Sequence, residues 1–280
     1  MSPSVDIIVL NWNGEKLIQD CLESLSNIKY DNYKILVVDN KSDDSSVNII
    51  RREFPNINIL ELDSNYGYAE GNNKGFESIA SENSEYVIFL NNDTEVDINF
   101  IKPLIKPLEE NQNIGQTVPK IYYANNRNRI WYAGGKVNLW LGHIRHIGIR
   151  KIDSLIFNEL EETDYATGCC FAMRFNDFVG IGGFDSSFPM YCEDVDLSIR
   201  IRDFGQIVQF VPDSKIWHKI SASIGGEFSR KKSLSKFKGY IVLFWKHANL
   251  LQKITILLSW IFSIPFILFK IIYLRLKKNV

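Results

Sequence analysis

The run VIFLNNDTEV, residues 87–96, passes from apolar residues straight into Asn91, Asn92, Asp93, Thr94 and Glu95. Such a cluster of amide and carboxylate oxygens can hold a hard cation, which prefers oxygen donors. It can equally be a turn, because Asn and Asp side chains bond nearby backbone and tolerate unusual dihedrals. The same ending recurs: VDIIVLN stops at Asn11 with Asn13 just beyond, YKILVVD stops at Asp39, and INILELD stops at Asp63 with Asn65 close behind. A second acidic group, Glu193 and Asp194, opens the segment EDVDLSIRIRDFG. Adjacent carboxylates repel, and in a partly desolvated site this raises one pKa toward a value useful to a general base. The bland alternative is an acidic helix N-terminus favoured by the helix dipole.

The elements that must position these groups follow from the pattern of apolar residues. Across the first hundred residues, β-rich runs alternate with helical patterns, the signature of a parallel sheet covered by helices. Strands are expected at VDIIVLN, YKILVVDN, INILELD and EYVIFLNND. Between them come a helix with Leu17, Ile18, Cys21, Leu22 and Leu25 on one face, another near residues 45–53, and a third in AEGNNKGFESIASE. In open parallel sheets the ligand crevice lies outside the carboxyl ends of the strands, so Asn11, Asp39, Asp63, Asn65 and Asp93 are expected to face one site. Further on, TGCCFAMR reads as a strand, and EDVDLSIRIRDFG as a helix because it ends in a glycine, Gly205. IVQFVPDSKIWHK reads as a strand followed by a turn at Pro212 and Asp213.

With 280 residues and a net charge of −1, the chain is one large domain or two small ones, and its overall charge gives no argument for a nucleic-acid partner. Cys21, Cys169, Cys170 and Cys192 show no metal-ligand spacing and are expected to be reduced thiols. No charged leader precedes the first strand at Val5, so the catalytic or binding part is expected in the cytosol. From about residue 225 the chain turns basic and apolar. The run ITILLSWIFSIPFILFKIIYL, residues 254–274, reaches the ~20 residues of a membrane span. Basic residues flank it on both sides, among them Lys236, Lys246 and Lys253 before and Arg275, Lys277 and Lys278 after. That symmetry favours an interfacial helix or re-entrant hairpin on an anionic leaflet over a single span. The alternative is a packing or oligomerising helix pair, which would make the chain a homo-oligomer.

Taken in order, IIVLNWNG, ILVVDNKSDD, NYGYAEGNNKG, VIFLNNDTEV, WYAGG, TGCCFAMR, GGFDSSFPMYCEDVDLSIRIRDFG and VPDSKIWH resemble the family 2 inverting glycosyltransferases, in particular their rhamnosyltransferase-like branch. The similarity runs from about Val5 to His218. It implies an α/β fold of the GT-A type: a mostly parallel central sheet flanked by helices, followed by a basic and apolar helical tail. The domain would span 1–224, with a nucleotide-binding half at about 1–95 and an acceptor half at about 96–224. Residues 225–280 would associate with a membrane.

The activity implied is single-displacement transfer of a sugar, with rhamnose the first guess, from a nucleoside diphosphate donor to a hydroxyl of a lipid-linked or polysaccharide acceptor. It would take place at the cytoplasmic face of the membrane, with Mg²⁺ or Mn²⁺ as cofactor. By the same resemblance Asp93, the surviving carboxylate of an Asp-x-Asp element that reads Asn91, Asn92, Asp93, would hold the metal with His218. Asp194 would be the base, with Glu193 as its neighbour. Asn11, Asn13, Asp39, Asn65, Gly67, Gly71, Asn73, Asn92 and Gly168 would meet the donor. Asp185, Trp131 and Trp140 would meet the acceptor, with Tyr132 beside them. Two rivals stand beside this reading. One is a nucleotidyltransferase that makes sugar nucleotides, although NWNGEKL lacks its glycine-rich, Arg-containing loop; the other is a non-catalytic membrane-associated protein that binds nucleotide sugars.

Overall fold

In the computed structural model, residues 2–80, 84–188, 190–219 and 230–262 are described, the side chains of residues 230–232 excepted. Four parallel strands form one half of the sheet: β1 (Val5–Asn11), β2 (Tyr33–Asp39), β3 (Asn58–Glu61) and β4 (Tyr86–Asn91). Their order in space is β3-β2-β1-β4, and the helices α1 (Ile18–Ser26), α2 (Ser46–Glu53) and α3 (Gly67–Ser78) connect them. Strands buried on both faces need near-continuous apolar sequence. Ile7, Ile8 and Val9 of β1 and Val87, Ile88 and Phe89 of β4 are all without solvent exposure. The face expected for α1 is the one that is buried, from Leu17 to Leu25. Gly71 lets α3 lie close on the sheet, since a Cβ there would come within 2.9 Å of Leu10.

The chain then turns through β5 (Thr94–Val96) and α4 (Ile101–Glu110) into β6 (Ile114–Tyr123) and β7 (Asn126–Tyr132). A separate hairpin, β8 (Gly135–Asn138) with β9 (His143–His146), and a short strand β10 (Glu161–Glu162) follow. Next come β11 (Cys170–Arg174), α5 (Phe175–Gly180), α6 (Glu193–Asp203) and β12 (Ile207–His218). β11 enters antiparallel between β4 and β6, and β12 runs parallel to β6 on its other side. The sequence leads one to expect a turn at Pro212 and Asp213. Instead β12 continues through them, with a register shift between Val211 and Lys215 against β6. A bulge accommodates the missing proline N–H without ending the strand.

The core is aromatic where the two halves of the sheet meet. Phe89 of β4 packs against Phe171 of β11, Phe178 of α5 and Phe184 of the loop beyond. This cluster fixes the loop that leads into α6.

The tail begins with α7 (Arg230–His247), and residues 250–262 form a further helix, α8. Both are two-faced. Leu243, Phe244, Ala248 and Ile256 are buried against the rest of the protein, and Lys246 pairs with Asp185 and Asp196. Outward, Leu234, Phe237, Ile241 and Trp245 form an exposed stripe at helical spacing along α7, and Leu250, Leu251, Ile254, Leu258 and Phe262 continue it on α8. Among the described residues no helix is long and apolar enough to cross a membrane. Most of the run 254–274 singled out in the sequence, from 263 on, lies outside them.

Candidate active site

The carboxyl ends of β1, β2 and β4 are joined by a buried amide network. Asn11 donates to Asp39 (2.9 Å), Ser42 (3.3 Å) and Ser46 (3.0 Å), and its Oδ1 accepts from the Asn92 amide at 2.7 Å. Asp39 also accepts from the Ser42 hydroxyl and backbone N–H. Asn13, in the left-handed region at φ 51°, donates its N–H to Ser42 and accepts from the Asp43 N–H. These four of the expected donor residues therefore stand together. Asn65 accepts from the N–H of Gly67 and shapes the entry to α3. The space around Gly71 is filled by Leu10 and Asn40. Asn73 exchanges two hydrogen bonds with the backbone of Phe184 and so holds the Gly183–Ser186 loop.

Asn92 and Asp93 form the tight turn between β4 and β5, so the turn reading of NND describes its backbone. It does not account for the Asp93 side chain. β12 pairs antiparallel with β5, placing His218 opposite Thr94, and this brings His218 Nε2 to 3.1 Å from Asp93 Oδ1. Asp93 is 6 % exposed, yet Oδ1 has no hydrogen-bond partner, and neither does His218 Nδ1. Buried polar atoms are almost always bonded, so exceptions call for an explanation. Among the described residues no group of three or more His, Cys, Asp or Glu is gathered around a metal position. Two adjacent donors fit a cation that takes its other oxygens from substrate phosphates and water.

Across a cavity of about 520 Å³ lie Glu193 and Asp194, at the N-terminus of α6. Two consecutive left-handed residues, Tyr191 (φ 71°) and Cys192 (φ 75°), set them there; strain of this kind in non-glycine residues persists where the surroundings impose it. Both line the cavity, Asp194 half-buried and Glu193 buried. Asp194 accepts from the N–H groups of Gly168 (2.7 Å) and Val195 (2.8 Å). Glu193 Oε2 has no partner. Burial, and then the charge of Asp194, push the Glu193 carboxyl up to about 8. Burial also raises Asp194, opposed chiefly by those two backbone N–H groups. Hydrogen bonds to a carboxylate favour its charged form, so Asp194, which has them, is the member of the pair that ionises first, and unbonded Glu193 the one that holds its proton.

Trp131 lines the same cavity, edge-on to both His146 and His218 at 4.5 Å. Tyr132 is fully buried and donates to the Tyr165 carbonyl, so it is core. Trp140 and Asp185 lie elsewhere. Trp140, at the tip of the β8–β9 hairpin, lines a separate cavity of about 650 Å³ at the C-terminal end of α6. Asp185 pairs with Lys246 of α7; burial pushes its carboxyl up, but the bonds from Lys246 and Ser187 outweigh this and hold it at about 2. Sequence reading missed Arg145 and His146 of β9, Lys236 and Tyr240 of α7, and Tyr68, all of which line the cavity. Burial holds the His146 imidazole down to about 4, so it is neutral.

The family model for "Glycosyl transferase family 2" matches residues 6–181. The chain belongs to that family. This glycosyltransferase is 28% identical over 216 residues to the rhamnosyltransferase WbbL of Escherichia coli, a match covering 74% of this chain and 80% of WbbL. It is 23% identical over 269 residues to the N-acetylglucosaminyl-diphospho-decaprenol L-rhamnosyltransferase of Mycobacterium tuberculosis, covering 89% and 87%. Among solved structures, GalNAc-T7 with UDP, GalNAc and Mn²⁺ superposes with a TM-score of 0.69 at 18% identity. That match covers 86% of this transferase but 47% of the GalNAc-T7 chain, so this protein spans about half the length of that neighbour. TarS of S. aureus in complex with UDP follows at a TM-score of 0.58 and 16% identity, covering 90% and 68%. These likenesses establish the fold of the family 2 enzyme as GT-A, with its central sheet, flanking helices and helical tail.

Proposed function

We propose that this glycosyltransferase moves a sugar from a nucleoside diphosphate to a hydroxyl of a lipid-linked or polysaccharide acceptor, with inversion, at the cytoplasmic face of a membrane. The observation that carries the reading is that one cavity is lined by two unlike groups: His218, in contact with Asp93, and the pair Glu193 and Asp194. The buried Cys169 thiol lines the same cavity and feels both, its pKa raised first by desolvation and then by Asp93, with Asp194 a smaller contributor.

Asp194 accepts the proton of the acceptor hydroxyl while that oxygen forms its bond to the anomeric carbon. The bond from that carbon to the diphosphate oxygen breaks with its electron pair, so one displacement inverts the centre. Glu193, kept neutral, leaves Asp194 as the charged member of the pair. Asp93 and His218 would hold a divalent cation, which when bound offsets negative charge on the departing diphosphate. The amide network of Asn11, Asp39 and Asn92 shapes the end of the cleft assigned to the nucleotide. Two relatives carry rhamnosyltransferase names, so thymidine diphosphate rhamnose is the donor to test first.

In this reading residues 1–224 carry the proposed catalytic groups, and 225–280 are a membrane-associating region whose exposed stripe lies on the bilayer while the inner face of α7 walls the cavity. The test is the anomeric configuration of the product, read by NMR, with a panel of nucleotide sugars and added Mg²⁺ or Mn²⁺. Inversion supports the mechanism. Retention, or donor binding with no transfer to any hydroxyl acceptor, sinks it.

A further inference from the structure

Among the described residues, two Lys or Arg side chains line the cavity, Arg145 of β9 and Lys236 of α7. Several cations elsewhere are held by carboxylates: Lys246 by Asp185 and Asp196, Arg200 by Asp196, Lys219 by Asp20 and Glu95, and Arg127 by Glu95. Arg145 and Lys236 have no ion pair among the described residues; the Lys236 ammonium stands 5.8 Å from the Tyr240 ring, and its charge is felt by Asp194. Both residues are exposed, whereas Glu193 is buried, so they stand on the solvent side of the cavity. The metal-ligating pair lies on the other elements, at the β4–β5 turn and the end of β12.

Their neighbours add a second observation. Ile149, 44 % exposed, lines the same cavity, and Phe237 and Ile241, adjacent in α7 to Lys236 and Tyr240, are exposed on its outer face. A ligand that crosses this rim meets two cations and then an apolar surface. That sequence of chemistry matches an amphiphile with an anionic link between its sugar and its hydrocarbon chain.

Building on the transferase reading above, we propose that Arg145 and Lys236 form a clamp for the diphosphate of a lipid-linked acceptor, holding it at the cavity rim while its sugar hydroxyl reaches Asp194. Arg offers a planar fork of donors to phosphate oxygens and Lys a mobile point charge, a combination suited to a flexible diphosphate. The exposed position makes the attraction sensitive to salt.

The test measures binding of farnesyl diphosphate and of farnesol to the full chain, with UDP or dTDP and Mg²⁺ saturating the donor side. We expect farnesyl diphosphate to bind more tightly than farnesol, and its affinity to fall as salt is raised. The double variant Arg145→Ala/Lys236→Ala should lose roughly tenfold or more of that affinity, the scale of charge-assisted hydrogen bonds. The charge-conserving pair Arg145→Lys/Lys236→Arg should retain most of it. The proposal is overturned if the wild-type chain does not distinguish farnesyl diphosphate from farnesol, or if the double variant binds farnesyl diphosphate normally. It is overturned as well if the loss falls instead on UDP and dTDP, which would assign the cations to the donor. None of these readouts depends on sugar transfer, so a failure of the transferase reading would be seen separately.

Discussion

Two sets of polar groups in the cleft are built on opposite principles. At the strand ends, Asn11 has a partner for its amide N–H and for its oxygen, and Asp39 and Asn92 are bonded within the same network. Among the charged groups, His218 Nδ1 and Glu193 Oε2 are buried and unbonded, and Asp93 Oδ1 has only its contact with His218. A satisfied network gives a fixed shape, whereas unsatisfied buried groups store free energy that a ligand or proton can release. The amide set is accordingly the template, and the charged set is where charge is handled.

The largest expected effect comes from breaking the charged set at its base. Asp194→Asn should lower turnover roughly 100- to 10,000-fold, the range of general-base catalysis, while donor binding survives. Near-normal turnover would exclude Asp194. Asp93→Asn comes next. It should weaken metal-dependent donor binding and turnover by roughly tenfold or more, as loss of a charged ligand does, while thermal unfolding stays cooperative. A variant that binds and reacts normally with Mg²⁺ or Mn²⁺ would reduce Asp93 to a turn residue.

The amide set should respond in stability as well as activity. Asn11→Ala strips partners from Asp39 and Asn92 inside the protein and is expected to cost about 1–3 kcal/mol. Denaturant titration measures this. An unchanged midpoint would mean that the network is dispensable to the fold, contrary to the template role.

How much of this could be read from sequence depends on whether a residue acts through its local pattern or through a distant contact. The four parallel strands, and the buried face of α1 from Leu17 to Leu25, follow from periodicity, which is local. The Asp93–His218 approach depends on β12 pairing with β5 across a gap of more than a hundred residues, and only the family resemblance brought the two together. Lys236 and Tyr240 were hidden because α7 reads as one basic and apolar stretch. Folding splits it into an inner face that walls the cavity and an outer one that stays bare. Pro212 misled in the other direction, since a strand bulge tolerates a proline that the local sequence marks as a turn.

The outer face of α7 offers a smaller effect that separates packing from membrane attachment. Trp245, 74 % exposed, and Phe237 make few demands on the fold. Phe237→Glu/Trp245→Glu should therefore leave unfolding nearly unchanged but reduce sedimentation with anionic liposomes several-fold, since apolar area is lost from the stripe while its other residues, from Leu234 to Phe262, remain. Truncation at residue 225 is a poorer probe. It would remove Lys246 and His247 from the fully buried Asp196 and take away a wall of the cavity. Equal liposome binding by the double variant and the wild type would leave the stripe without a membrane role.

The last effect lies in the pH dependence of stability and comes from Glu193. Its folded pKa of about 8 stands above the value of 4.5 taken for the unfolded chain, so between those limits the folded protein holds a proton that the unfolded chain has released. Stability contributed in this way is fully present below the unfolded pKa and falls as pH rises toward 8, by at most about 1.4 kcal/mol per pH unit for one proton. Glu193→Gln cannot ionise, so it should flatten the slope between pH 5.5 and 7.5 and gain on the wild type at the upper end. Asn11 and Asn92 carry no titrating proton, so Asn92→Ala should shift the whole stability curve without changing its slope in this window. Parallel slopes for wild type and Glu193→Gln would mean that the buried carboxyl does not keep its proton in the folded chain. The division of labour between Glu193 and Asp194 would then have to be reversed.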